Sequence, residues 1–192
     1  MATLNEIFDD ARLKLEQRLT EARMLHSIST AETAQAMALI YDVNPEHALV
    51  AGLLHDWDKK YPDAQMIERA QMFGITLTDD SYQLLPVLHA QTAAMALSRE
   101  YPDLPPEIIQ AISRHSSAAI EMSDLDMIIY VADMLEPLRQ TPQIADLRAL
   151  IGKIPLQDLF QKCYNRTIEY LLNKYSVLDP TTLEIWRVIS EN

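Results

Sequence analysis

Cysteine, glycine and basic residues are all scarce in this chain, and each shortage excludes something. Cys163 is the only cysteine of 192 residues, so no internal disulfide can form, which suits a reducing cytoplasm. Glycine occurs three times (Gly52, Gly74, Gly152) and β-branched alternation is sparse, which argues against a sheet-built fold. No apolar run approaches the roughly 18–20 residues of a membrane span, and the acidic start Met1–Asp10 lacks the basic and apolar regions of a signal peptide. Sixteen Lys and Arg stand against 28 Asp and Glu. The net charge of −12 argues against a nucleic-acid polymer as partner, because binding one needs a basic footprint. A small phosphorylated ligand stays open, since a bound divalent ion can dominate a local field. Repeats, low-complexity stretches and flexible linkers are absent as well.

What is present favours helix. The chain is 48 % hydrophobic and 23 % charged, rich in Leu, Ala, Met, Glu and Gln, and long enough to bury a core without staples. Prolines at 45, 62, 86, 105, 106, 137, 142, 155 and 180 punctuate it. The pattern predicts helices near 3–18, 20–42, 45–56, 63–73, 80–100, 105–116, 123–137, 143–151, 156–175 and 181–190. The expected fold is one all-α domain over 1–192: a helical bundle at about 20–140, flanked by residues 1–18 and by a C-terminal helical extension at 141–192.

Six residues stand out for their chemistry. His26, the adjacent pair His55-Asp56, His89, His115 and Asp133 fall on separate predicted helices or their ends. Asp133 lies within the apolar run Met127-Ile-Ile-Tyr-Val-Ala-Asp-Met-Leu135, where a buried carboxylate requires a cation, a proton or several donors. Taken singly, any of these is most simply a core histidine, a cap or half of a salt bridge. Taken together they are imidazole and carboxylate donors suited to Fe, Mn, Co, Ni or Zn, arriving from neighbouring helices as in bundle-core metal sites. Arg23 shares a helical face with His26 three residues on. Lys59 and Lys60 read equally as solvated charges, and Arg139 as a partner of Glu136. His47 reads as a surface residue without a role, the nine Met as core filling, and Trp57 as either a pocket wall or a core anchor.

The order His, His-Asp, His, His, Asp resembles the HD superfamily of metal-dependent phosphohydrolases. The stretches Arg23-Met-Leu-His26-Ser27, Ala51-Gly-Leu-Leu-His-Asp-Trp-Asp-Lys59, Ala111-Ile-Ser-Arg-His115 and Tyr130-Val-Ala-Asp133, continuing through Glu136-Pro137 to Arg139, are more closely similar to its YqeK-type members. Those are symmetrical bis(5'-nucleosyl)-tetraphosphatases, which split diadenosine tetraphosphate into two ADP. The resemblance runs over about residues 20–181.

It implies an HD helical bundle and a hydrolase acting through metal-activated water, with iron held by His26, His55, Asp56 and Asp133. Mn, Co or Ni would suit the same donors. His89 and His115 would meet substrate phosphates or a second ion, and Asp56, Lys59, His89 and His115 would form the catalytic set. Substrate contacts are implied for Arg23, His26, Lys59, His89, His115, Ser116, Asp133 and Arg139, and for the returning segment Ser176, Val177, Leu178, Asp179, Pro180 and Thr181. Where the family usually has Thr-Thr-Gly after the fourth histidine, this chain has Ser116-Ser117-Ala118. Ala90 replaces a frequent glycine after the third. Losing a glycine's permissive backbone at Ala118 predicts an altered local turn there, and both departures leave the metal ligands intact. The implied partner is a nucleoside polyphosphate, with neither membrane nor nucleic-acid polymer, and a homodimer is left open. The alternatives are an HD phosphohydrolase of another nucleotide and a non-catalytic nucleotide-binding HD module.

Overall fold

A computed structural model describes residues 2–77, 81–175 and 178–191, with the side chains of 81–84 left aside. The described residues form ten α-helices and no strand: α1 Leu4–Arg18, α2 Glu21–Ile40, α3 Pro45–Leu54, α4 Asp63–Met72, α5 Ser81–Glu100, α6 Pro106–Arg114, α7 Asp124–Leu135, α8 Pro142–Arg148, α9 Leu156–Lys174 and α10 Pro180–Glu191. All ten expected helices form.

Local chemistry sets their ends. Thr3 and Ser123 each build a capping box, Thr20 and Asn44 accept from first-turn amides, and Pro45, Pro106 and Pro142 open their helices. Two ends differ from expectation in ways that matter for function. α3 stops at Leu54, and 55–60 continues as turns joined by Trp57 N–H to Leu54 O, Lys59 N–H to Asp56 O and Tyr61 N–H to Asp58 O. α7 stops at Leu135 because Glu136 precedes Pro137 and takes extended ψ 148°. α8 also closes early, at Arg148.

α7 is the hub, packing on α2, α3, α6, α8 and α9, while α2 lies along α3. At that crossing a Cβ on Gly52 would sit 2.7 Å from Ala31 Cα, so only glycine permits the approach. The C-terminal extension is not a loose tail, since α9 packs on α7 and α10 on α9.

Trp57 is fully buried with the Arg18 guanidinium 4.4 Å from its ring, a core anchor and not a pocket wall. His47 lies partly exposed at the surface, where it pairs with the half-exposed Glu107 at 3.2 Å. Cys163 is buried and unpaired. No described helix is long and apolar enough to cross a membrane.

Candidate metal centre

The helices carry the six residues to one place. α2 supplies His26 and α5 supplies His89. His55 is the C-cap of α3, with Asp56 in the following turn; His115 is the C-cap of α6; and α7 supplies Asp133. Three triads, His26-His55-Asp56, His55-His115-Asp133 and Asp56-His89-His115, each gather one donor atom per residue within 4.8 Å.

The ring orientations share one rule. Nδ1 of His55 donates to Gly52 O at 2.7 Å, that of His89 to Pro86 O at 3.0 Å, and that of His115 to Ile112 O at 2.7 Å. His26 Nδ1 donates to Glu136 Oε1 at 3.2 Å. A carbonyl or carboxylate acceptor requires the hydrogen on Nδ1, so every Nε2 presents a lone pair to the centre.

Those lone pairs meet other acceptors. His26 Nε2 is 3.0 Å from Asp133 Oδ1, His89 Nε2 is 3.2 Å from Asp56 Oδ1, and His89 and His115 face each other at 3.1 Å. His55 Nε2 lies 3.7 Å from Asp56 Oδ2 and 3.8 Å from Asp133 Oδ1. Nε2 of His26 and of His55 are buried with no hydrogen-bond donor. Converging lone pairs at these distances repel unless a cation or a proton lies among them, so the donor set fits a divalent metal ion.

For His89 and His115 the electrostatics agree with a ligand role. Burial, reinforced by the His55 and His89 rings, pushes His115 down to about 3, and burial also lowers His89. Both stay neutral. Burial opposes charge on His26 too, but Asp133 and Glu136 outweigh it and raise its pKa. Burial would raise Asp56 and Asp133; instead the surrounding imidazoles, with Arg139 beside Asp133, hold both carboxyls well below the usual range. Asp133 is less enclosed than its apolar run suggests, its side chain being 22 % exposed toward Arg139.

Three cations border the cluster. Arg23 Nη1 bonds Asp56 Oδ2 at 2.9 Å, and Arg139 Nη2 bonds Asp133 Oδ1 at 2.7 Å and not Glu136. Lys59 Nζ reaches Pro86 O at 3.3 Å beside the His89 ring; burial lowers its pKa, so it is not a freely solvated charge. Ser116 Oγ donates to His115 Nε2 at 2.9 Å.

Two clefts open near this centre, the smaller reaching it through Ser116 and neither lined by the six residues themselves. One of about 210 Å³ runs from Pro86 and Ser116 to Tyr164, Leu178 and Asp179. The other, of about 610 Å³, is lined by Leu88, Arg114, Ala118, Asp179, Thr181 and Ile185 among others. Leu178, Asp179 and Thr181 therefore line clefts beside the cluster and not the cluster itself. Asp179 also caps α10, accepting from Thr182 N–H at 2.9 Å, and Pro180 opens that helix. Ser176 and Val177 lie outside the described residues. Ala118 keeps the left-handed turn that glycine favours (φ 61°), at a cost of about 1–2 kcal/mol. Ala90 is fully buried within α5.

Sequence reasoning missed two supports. Glu136 orients His26; it stood inside the Glu-Pro-x-Arg motif, where its pre-proline position was the available signal. Asp58, with no exposed side-chain surface, is clasped by Arg69 at 2.5 and 3.0 Å and by Arg18 at 3.4 Å, which anchors the turn that carries Asp56 and Lys59. A second acid in His-Asp-x-Asp was the only hint.

The HD domain family matches residues 23–138. The chain is 31 % identical over 177 residues to a symmetrical bis(5'-nucleosyl)-tetraphosphatase of Bacillus subtilis, covering 91 % of this chain and 92 % of that protein. It is 33 % identical over 160 residues to a probable nicotinate-nucleotide adenylyltransferase/Ap4A hydrolase of Mycoplasma pneumoniae, covering 82 % of this chain but only 45 % of that longer protein. A crystal structure from Clostridium acetobutylicum, described as a predicted HD superfamily hydrolase involved in NAD metabolism, superposes with a TM-score of 0.86 at 29 % identity, covering 100 % of this chain and 98 % of that one.

Proposed function

The chain belongs to the HD domain family and is a hydrolase; from that premise we propose that it cleaves diadenosine tetraphosphate symmetrically into two ADP at the histidine–aspartate centre. The observation that supports this most is the meeting of four Nε2 lone pairs with two carboxylates under a rim of three cations. Such a site takes a divalent ion on its inner side and a polyphosphate on its outer side.

His26, His55, Asp56 and Asp133 would hold the ion, iron first, with Mn, Co or Ni suited to the same donors. When bound, the ion supplies Lewis acidity and lowers the pKa of water. Asp56 offers Oδ2 toward His26 and His55 and Oδ1 toward His89, so it can serve both sides of the centre and orient the attacking water. Arg23, Lys59 and Arg139 would bind phosphate oxygens and stabilise charge on the transferring and departing groups, where phosphoryl-transfer catalysis mostly acts. The neutral rings of His89 and His115 suit a second ion better than an anionic phosphate, because an unprotonated Nε2 and a phosphate oxygen are both acceptors. The clefts lined by Leu178, Asp179 and Thr181 would receive the nucleoside ends. The buried thiol of Cys163 suits a cytoplasmic enzyme.

The test is incubation of metal-analysed protein with diadenosine tetraphosphate and chromatography of the products. ADP alone, abolished by chelation, is expected. ATP plus AMP would refute the symmetrical cut, and turnover of a different nucleotide only would move the substrate.

A further inference from the structure

The segment that joins α7 to α8 carries two residues of the centre, Glu136 behind His26 and Arg139 on Asp133. Its own chain is short of partners. Leu135 to Arg139 leaves α7 at its C-terminal end, where the last carbonyls of a helix have no amide to accept from and the helix dipole is negative. Internal bonds help only in part: Leu138 N–H donates to Glu136 Oε2 at 2.7 Å and Arg139 N–H to Glu136 O at 3.1 Å.

One side chain supplies what is missing. Arg148, the last residue of α8, donates Nε–H to Leu135 O at 2.5 Å, and Nη2–H to Glu136 O at 2.8 Å and Arg139 O at 2.7 Å. Among the described residues no carboxylate pairs with it, so its charge is directed to main-chain carbonyls alone. Arg148 also lies beyond residues 23–138, the extent of the HD family match.

We propose that Arg148 is a positioning residue: it latches the 135–139 segment so that Glu136 holds His26 in its metal-facing tautomer and Arg139 reaches Asp133. The latch couples the C-terminal extension to the metal centre, and it rests on the metal-centre reading above. The guanidinium fork suits it, because two N–H directions serve three carbonyls spread over five residues, which a lysine ammonium cannot span. Removing it leaves the segment held by the bonds of Glu136 to His26, Leu138 and Arg139 alone, and an outer partner of a histidine ligand typically governs metal affinity by 10–100-fold.

The experiment measures Mn²⁺ and Ni²⁺ affinity by equilibrium dialysis of the full chain, alongside thermal unfolding. Arg148→Ala is expected to bind either ion roughly 10-fold more weakly, and Arg148→Lys to fall between it and the parent. Glu136→Gln, whose single amide oxygen can accept from His26 or Leu138 but not both, should weaken binding similarly. Adding Arg148→Ala to Glu136→Gln should weaken it by clearly less than the sum of the two single losses, because the Glu136 arm of the latch is already gone. Ile7→Val in the core of α1, away from the centre, sets the effect of lost stability alone. If Arg148→Ala does not fold, Arg148→Lys carries the same comparison. Unchanged affinity in the Arg148 variants, loss no greater than in Ile7→Val, or full additivity with Glu136→Gln would overturn the latch while leaving the metal centre standing. A parent protein that binds neither ion would overturn the metal-centre reading and the latch with it. Metal binding without hydrolysis of diadenosine tetraphosphate would reject only the substrate.

Discussion

Metal-free protein should lose stability steeply as pH falls from 8 to 5, and His115 should account for a measurable part. Its ring is buried and hydrogen-bonded at both nitrogens, Nδ1–H to Ile112 O at 2.7 Å and Nε2 from Ser116 at 2.9 Å. The His55 and His89 rings face it, and its pKa falls from 6.5 to about 3. The folded chain therefore keeps this ring neutral where the unfolded chain protonates it. The unfolded state binds more protons below pH 6.5, so stability is complete above that pH and declines as pH falls. At about 1.36 kcal/mol per pH unit, the loss between pH 8 and pH 5 comes to about 2 kcal/mol from this group alone. His89, also lowered by burial, adds in the same direction. His26 works against them, since its raised pKa gives stability that is present below 6.5 and lost as pH rises. Asp56 and Asp133, both held low, contribute above the ordinary carboxylate range and add little slope between pH 5 and 8. Urea unfolding in chelator at pH 8, 7, 6 and 5 would give the profile for the parent and for His115→Gln. The variant should be flatter by about 2 kcal/mol over that interval; a difference under about 0.5 kcal/mol would refute the assignment of His115 as a buried neutral ring.

Further expectations follow from single contacts. Asp133→Asn keeps the shape but removes a charge facing His26 at 3.0 Å, so dialysis should show divalent-ion affinity down by at least ~100-fold, with hydrolysis lost in parallel. Asp58→Ala would leave Arg18 and Arg69, each about one-fifth exposed, without their buried anion, at a cost of about 3 kcal/mol in urea unfolding. A loss below about 1 kcal/mol would mean both arginines escape to water. Gly52→Ala would press a methyl to 2.7 Å from Ala31 Cα and 3.0 Å from Ala31 N, and should destabilise by about 2 kcal/mol or more; a neutral result would show that α2 and α3 can part. Lys59→Met should raise KM for a polyphosphate more than it lowers metal affinity, and the reverse pattern would place Lys59 in holding the ion's ligands.

The helices were legible because the punctuation was plain: prolines at first turns, Ser, Thr and Asn at caps, and few glycines. The inner donors were legible for a different reason. A histidine or aspartate in an apolar helix needs a partner, and six such residues in order narrowed the partner to a cation. What remained hidden is main chain. The acceptors for His55, His89 and His115 are carbonyls three residues earlier, of Gly52, Pro86 and Ile112, and a carbonyl has no residue identity to read. Arg148 was hidden likewise, since all three of its acceptors are backbone. Trp57 was ambiguous because adjacency to Asp56 does not say which way a turn faces; in the 55–60 turns it points into the core while Asp56 points to the centre. The departure at Ala118 predicted a changed turn, but the surrounding structure imposes the left-handed backbone on alanine all the same.

The overall charge of −12 and the proposed polyanionic substrate conflict only at long range. Charges more than about 8–10 Å apart at the surface are largely screened at physiological ionic strength, whereas a pair at about 4 Å near a protein surface interacts by about 4 kcal/mol. The groups that decide are thus those within contact of the site. Asp56, Asp133 and Glu136 are balanced one for one by Arg23, Lys59 and Arg139, two of the carboxylates being in direct contact with an arginine at 2.9 and 2.7 Å. A formally neutral rim and floor would attract a tetraphosphate weakly. A divalent ion held by His26, His55, Asp56 and Asp133 would leave the same groups with two net positive charges, enclosed where water is scarce. On the proposed reading, the sign that the substrate needs would come from the ion.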